Sequence, residues 1–255
     1  MAIWHPQSQC PEVPSFIVID IDPQRYRFAV HSYQSDGFLS PPDIHQWQER
    51  TGHELVFNAG LFREDYSYLG LLYAKGRSLS GKRHTTWMGL FVAEPVDSAS
   101  PLAQVLDLAV DPFDERQPTY HEAAQSLMLL DRTGSVRVRQ SGKRSQQTVV
   151  SEHSNGHIWL LKSLDAVSLY AIGRCLRETF PDIRQAMAMD GGSSSDVALS
   201  ASRRQGAGKA VGSQLWQSLL DDSSTTHIGL PAVIGISLRD ETKTTPAVKD
   251  KSPRR

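Results

Sequence analysis

The stretch "QAMAMDGGSSSDVALS", Gln185–Ser200, decides how the chain is read. Apolar residues lead into it and out of it, so the pattern predicts a buried strand on each side. Between them, Asp190, Gly191, Gly192, Ser193, Ser194 and Ser195 place one carboxylate, two glycines and three hydroxyls in consecutive positions. A tight hairpin reversal needs far fewer such residues, and Asp-Gly is a common hairpin signal, so a plain turn is the alternative. The surplus of small polar backbone is read instead as the floor of an active site.

Ahead of the loop, "SLDAVSLYAIGRCLRETFP" is the best helix in the chain. Ser163 caps it, Leu164, Val167, Ala171 and Cys175 recur at helical spacing, and Pro181 stops it. "RQAMAMD" is a strand feeding the loop, "DVALS" leaves it, "GSQLWQSLLDD" is a short helix and "GLPAVIGISLRD" a final strand. Nearer the N-terminus, "SFIVIDID" and "RYRFAVHSY" read as a strand pair around Asp22-Pro23. "PPDIHQWQERTG" predicts a short helix closed by Gly52, and "HELVFNAG" a short buried strand. "YLGLLYA" and "TWMGLFVAE" are strand-like, whereas "SPLAQVLDLA" predicts a helix. "SLMLLD", "SVRVRQ", "QTVVSEH" and "HIWLL" predict four more strands, with turns at Asp131–Gly134 and Ser154–Gly156.

Residues 1–14 read as a loose leader, 15–240 as one domain, and 241–255, with few apolar residues, as a disordered tail. Many strands and a few helices, without regular βαβ alternation, place the domain in the α+β class. The expected architecture is a strand-rich mixed or antiparallel sheet with a few packed helices.

Composition excludes several functions. The formal net charge of −1 lacks the basic excess of a general nucleic-acid binder. No apolar run approaches the ~20 residues of a membrane helix. "MAIWHPQSQCPEVPSF" shows no basic start followed by an apolar core, so no signal peptide is read. The chain is expected to be either cytoplasmic or a mature form whose leader has been removed. Cys10 and Cys175 cannot make a disulfide framework, and Cys175 reads as a small buried hydrophobe on its helix.

Chemistry concentrates in the glycine loop. Gly191 and Gly192 let the backbone approach a ligand closely, and successive N–H groups form an anion-sized nest with the serine hydroxyls. Asp190 is a fixed carboxylate beside that nest, suited to act as base, nucleophile or metal ligand on a phosphate-bearing substrate. Walker, dinucleotide and G-x-S-x-G spacings are all absent. A second carboxylate is sought among Glu64, Asp65, Glu122, Glu152 and Asp196. His153 and His157 flank a turn without a third metal ligand in view and read as an ordinary hairpin. Arg137, Arg139, Lys143 and Arg144 read as a solvated face, or else as a draw for an anionic substrate. No cofactor is expected; a divalent cation such as calcium beside Asp190 stays open as an alternative.

"AMAMDGGSSS" resembles the loop of the phosphodiester glycosidase family, which includes the lysosomal uncovering enzyme and bacterial relatives. "FNAGLF" is similar to the family's Asn-x-Gly-x-Phe turn and puts Asn58, Gly60 and Phe62 on its positions. "YLGLLYAKG" and "QSLMLLDRTG" resemble the family's glycine-leucine strand and Gln-Ser segment, in the same order, over residues 15–238. Two positions depart: Ser193 stands where a third glycine is usual, and Gln147 where an Arg is frequent, with Arg144 as its substitute.

The resemblance implies a hydrolase cleaving the glycosidic bond of a sugar phosphodiester, with Asp190 and Asn58 catalytic. It implies that Gly60, Gly191, Gly192, Ser193, Ser194 and Arg144 hold substrate or phosphate, and that the protein is extracytoplasmic. The partner is then a carbohydrate or sugar phosphate, with no nucleic acid and no membrane span. Two alternatives are a non-catalytic binder of phosphorylated or anionic glycans, favoured by Gln147 and Ser193, and a metal-dependent phosphodiesterase.

Overall fold

The run Phe16–Ile21 is apolar at nearly every position because both faces of its strand are buried. Ile17, Ile19 and Ile21 enter a core between two sheets, whereas Phe16 and Val18 lie under a helix on the other side. A computed structural model of the chain describes residues 1–6, 10–13, 15–80, 82–204 and 227–239. The strands are β1 (Ala2–Trp4), β2 (Phe16–Ile21), β3 (Tyr26–Ser32), β4 (Leu55–Asn58), β5 (Leu72–Ala74), β6 (Arg77–Ser78) and β7 (Gly89–Pro95), followed by β8 (Ala103–Asp107), β9 (Tyr120–Leu130), β10 (Thr148–His153), β11 (Ile158–Ser163), β12 (Ile183–Ala188), β13 (Val197–Leu199) and β14 (Ala232–Leu238). The helices are α1 (Ile44–Thr51) and α2 (Leu169–Thr179).

The larger sheet has ten strands, ordered β1-β2-β11-β10-β12-β9-β5-β6, with β7 also paired to β9 and β8 to β7. The smaller runs β13-β4-β14-β3, and every pairing in both sheets is antiparallel. Their facing sides share one core, in which Phe28, Phe57 and Ile234 of the small sheet meet Ile19, Phe91 and Met187 of the large one. α2 covers the far side of the large sheet through Ala171, Ile172 and Leu176. α1 covers the far side of the small sheet through Ile44 and Trp47, whose indole N–H donates to Leu230 O at 2.8 Å. The domain is a single compact α+β unit with few helices, in line with the class expected from its pattern.

Both helices are set by local chemistry. Asp43 caps α1 by accepting from His45 and Gln46 N–H, Gln46 returns the bond to Asp43 N–H, and Gly52 closes the helix at φ 67. α2 starts five residues later than its apolar spacing predicts: Ser168, not Ser163, accepts from Ala171 N–H. Ser163 is the last residue of β11, and its hydroxyl takes the N–H of Gln147 across the pair.

Four further expectations change. "SPLAQVLDLA" is strand β8, since Ala103, Val105 and Asp107 are buried in alternation with Gln104 and Leu106, a period of two. "SVRVRQ" makes only a single bridge, Val136 to Leu130. β2 and β3 follow one another but lie in different sheets, because the turn at Asp22–Arg25 carries the chain from one sheet to the other. The leader is tied down: β1 pairs with β2, and Cys10 is disulfide-bonded to Cys175, 165 positions away. Cys175 is buried as expected, yet its partner is visible only once α2 lies beside the leader. His153 stacks on Trp159 and His157 bonds Asp20, as an ordinary hairpin. The helix at "GSQLWQSLLDD" and the C-terminal tail lie outside the described residues.

Carboxylates seal the outer edge of β3. Phe28 N–H donates to Glu94 Oε1 (3.1 Å), Val30 N–H to Glu122 Oε2 (2.7 Å) and Ser32 N–H to Asp36 Oδ2 (3.2 Å). Glu122 Oε1 also accepts from Lys75 N–H at 3.0 Å. Burial pushes Glu122 up to about 7, against the pull of the two amides. Glu122→Gln offers one oxygen to two donors and is expected to cost about 1–3 kcal/mol. A carboxyl raised on folding stabilises below its unfolded value and loses that contribution as pH rises through the folded one. Thermal melts should therefore show the gap between wild type and variant narrowing from about pH 5 to pH 8, in the window between the ordinary and raised values.

Candidate active site

Two connections cross between the sheets at one place. Residues 59–71 run from β4 of the small sheet to β5 of the large one, and residues 189–196 return from β12 to β13. The second is the glycine loop, with one turn of 3-10 helix at Gly192–Ser194. Asn58, at the end of β4, is 1% exposed and grips both ends of the loop. Its Nδ2 donates to Asp190 O (2.8 Å) and Ala59 O (3.2 Å), and its Oδ1 accepts from Asp196 N–H (3.1 Å). Both amide atoms are thus spent on backbone. Asn58→Ala is expected to lower stability by about 1–3 kcal/mol, the scale for orphaning a buried polar group, read as a shifted urea midpoint at unchanged m-value.

Asp190 is partly buried at the mouth of the loop. Burial pushes its carboxyl above the usual range, while hydrogen bonds from Ser194 and from Gly191 N–H (2.9 Å to Oδ1) pull it back. Gly192, at φ +70, donates its N–H to Gln146 O at 2.8 Å. The amides of Gly191 and Gly192 are therefore engaged within the protein, and the exposed hydroxyl of Ser193 is the loop's outward group. A side chain at Gly191 would sit 2.7 Å from Gln147 Oε1 and 3.1 Å from Gln146 O, so a larger residue there would have to displace the Gln147 side chain. Gln147 is buried, with Nε2 donating to Ser145 Oγ at 2.7 Å. Arg144 is exposed, with Nε donating to Ala166 O at 3.1 Å.

The floor contains residues that the sequence reading missed. Lys162 is 7% exposed and donates to the carbonyl of Ser195, to Ser195 Oγ (2.7 Å) and to Gln146 Oε1 (3.4 Å). Burial pulls its ammonium down to about 8, while Asp196 opposes the shift. Thr148 Oγ1 lies 2.8 Å from Ser195 Oγ. A lone lysine inside the apolar strand "HIWLLKS" is the signal that would have found Lys162.

The motif residues upstream are joined to the loop by one hydrogen-bond chain. Gly60 N–H donates to Tyr68 OH (3.0 Å), which donates to Gln125 O (2.8 Å). Gln125, fully buried, accepts from Leu71 and His84 N–H and donates to the carbonyls of His84 and Trp87. Ser126 Oγ donates to Ala188 O (2.6 Å), the last residue before the loop's strand ends. A side chain at Gly60 would meet both Gln125 O and Tyr68 OH at 2.5 Å. The ring of Tyr68 lines a cleft of about 320 Å³ with Tyr33, Tyr66, Asp65 and Ser80, and the charge of Asp190 acts on its hydroxyl.

Of the five carboxylates considered as second partner, Asp196 bounds the loop, and its Oδ2 contacts His227 Nδ1. Glu122 seals β3, and Glu152 accepts from Val105 N–H (3.2 Å) and pairs with Arg184. Glu64 and Asp65 are exposed. Among the described residues, no group of three His, Cys, Asp or Glu is arranged to hold a metal, and no helix is long and apolar enough to cross a membrane.

No family model and no curated protein matches the sequence. Solved structures do match the fold. The catalytic domain of zebrafish N-acetylglucosamine-1-phosphodiester α-N-acetylglucosaminidase, auto-inhibited by its pro-peptide, superposes with a TM-score of 0.63 at 13% identity, over 93% of this chain and 82% of that one. A hypothetical protein from Synechocystis gives 0.58 at 12% identity, over 88% of this chain and 59% of that one. A protein described as exported from Burkholderia pseudomallei K96243 gives 0.54 at 10%, over 89% and 76%. At these identities the likeness shows a shared fold.

Proposed function

We propose that the chain is a hydrolase cleaving the glycosidic bond between a sugar and a phosphodiester. The observation that carries this reading is the position of Asp190: a carboxylate at the crossing of two sheets, on a serine-rich loop whose backbone ends Asn58 bonds at Asp190 O and Asp196 N–H. The fold likeness to a domain whose name states that activity supports it.

In this reading the phosphate departs as a stable anion, so strong acid help is less necessary than in an ordinary glycoside. Ser193 receives the phosphate, Asp190, held by Ser194, faces the positive charge growing at the anomeric carbon, and the cleft beside Tyr68 receives the sugar. Asn58 and Gly60 position the loop, Asp196 is the second carboxylate, and no cofactor is required. Export follows as part of the proposal, since a disulfide persists in oxidising compartments.

The test is release of free sugar from an activated α-N-acetylglucosamine 1-phosphodiester, with and without EDTA. Turnover indifferent to chelator is expected. Loss with chelator would replace the reading by a metal-dependent phosphodiesterase. Tight binding without turnover on this and other sugars would replace it by a glycan binder, the reading favoured by neutral Gln147 behind Gly191.

Ser194→Ala supplies a finer check. Removing a hydrogen bond that favours the carboxylate raises Asp190 further, so the acid limb of kcat/KM should move to higher pH. An unmoved limb would detach that limb from Asp190.

A further inference from the structure

A second constellation lies on the outer face of the small sheet, beside α1. Paired residues share a face, and since Phe28, Val30, Ile234 and Ile236 point into the core, His31 and Ser237 point outward. Three contacts run in series. Asp36 Oδ1 lies 3.0 Å from His31 Nδ1, His31 Nε2 lies 2.7 Å from His53 Nε2, and His53 Nδ1 lies 2.6 Å from Ser237 Oγ. Gly235 makes the room: a side chain there would run into the His53 ring.

With both imidazoles neutral, one assignment satisfies all three contacts. Burial pushes the Asp36 carboxyl up, but bonds from His31, Ser32 and Ser35 outweigh it and hold it below the usual range. Ionised Asp36 accepts only, so His31 carries its proton on Nδ1 and accepts on Nε2. His53 then donates from Nε2 and accepts on Nδ1, and Ser237 donates its hydroxyl. Every bond points from Ser237 toward Asp36. We propose that Ser237 is an activated nucleophile that takes the acyl group of a small carboxylic ester, with His53, His31 and Asp36 as its proton relay.

Ser237 Oγ attacks the ester carbonyl and gives its proton to His53 Nδ1, while the Nε2 proton of His53 passes to His31. The positive charge settles on His31 beside Asp36. The tetrahedral adduct collapses, the C–O bond to the alcohol breaks, and the alkoxide recovers the relayed proton. Water then cleaves the acyl-serine by the same route. Ser237 and His53 are both partly exposed, so a reagent reaches them. Arg27, exposed and directly opposite Ser237 in the register, supplies a positive charge on that side. The relay shares no residue with the glycine loop.

His53 is held down at about 4, by burial first, then by His31 when that ring is protonated and by the charge of Arg27, against Asp36. It is therefore a neutral acceptor across neutral pH.

The experiment treats the full chain with a fluorophosphonate and with p-nitrophenyl acetate, and maps the modified peptide by mass. One adduct per chain on Ser237 is expected. Ser237→Ala should abolish the adduct. Asp36→Asn should slow it by at least about a hundredfold while the thermal melt stays cooperative. Adducts on Ser193–Ser195 alone, an unmodified Ser237 in the folded chain, or a rate indifferent to Asp36→Asn would each overturn the proposal.

Discussion

Replacing Asp190 by Asn is expected to lower kcat on a sugar phosphodiester by a factor on the order of 10²–10⁴, the range for losing a positioned acid–base group. The substitution is nearly isosteric and keeps an oxygen to accept from Gly191 N–H. It removes only the charge. Burial raises the Asp190 carboxyl above its ordinary range, so ionising it at neutral pH works against the folded state. The amide escapes that penalty, and the variant should melt no lower than wild type at pH 7. A steep loss of turnover with undiminished stability is a combination that a purely structural aspartate would not give. Full activity in the variant would remove the glycine loop from the chemistry altogether.

Opening the Cys10–Cys175 disulfide is expected to lower unfolding free energy by about 2–5 kcal/mol, since so long a closed loop strongly restricts the unfolded chain. In the folded state the bond also holds the leader against α2, where Cys175 packs with Phe16, Ile172 and Leu176. Urea titrations with and without reductant, repeated on a double Cys→Ser variant, measure the effect. Reductant should shift the wild-type midpoint to lower urea and leave the double variant unmoved. Equal midpoints for oxidised wild type and double variant would show the bridge to be neutral.

Elements whose signal is local were legible in the sequence. The prolines before it and Gly52 delimit α1 within a few residues, and the apolar runs of β2, β4, β12 and β14 announce themselves. Elements decided by tertiary context were not. β8 looks helical because Leu and Ala carry high helix propensity, yet the edge of β7 imposes a period of two. Nothing near residue 22 tells that the next strand joins another sheet. At the site, composition marked the glycine loop but left a plain Asp-Gly hairpin open, and Asn58 and Gly60 came with the resemblance. What composition hides is which polar atoms remain outward: the N–H groups of Gly191 and Gly192 read as donors for a ligand, and they are bonded to Asp190 and to Gln146. The partners of Lys162 and the His31–His53–Ser237 series were not legible because they bring together positions distant in the chain.

The grip of one side chain on both ends of the glycine loop has an evolutionary consequence. Asn58 bonds the carbonyl of residue 190 and the amide of residue 196, and so acts as a gauge that admits five residues between them. Such a gauge constrains the count of residues and leaves their letters free. Among diverging descendants of this fold, insertions and deletions should accumulate in connections without a gauge, such as the polar stretch 139–143. The interval between 190 and 196 should drift in composition and stay fixed in length.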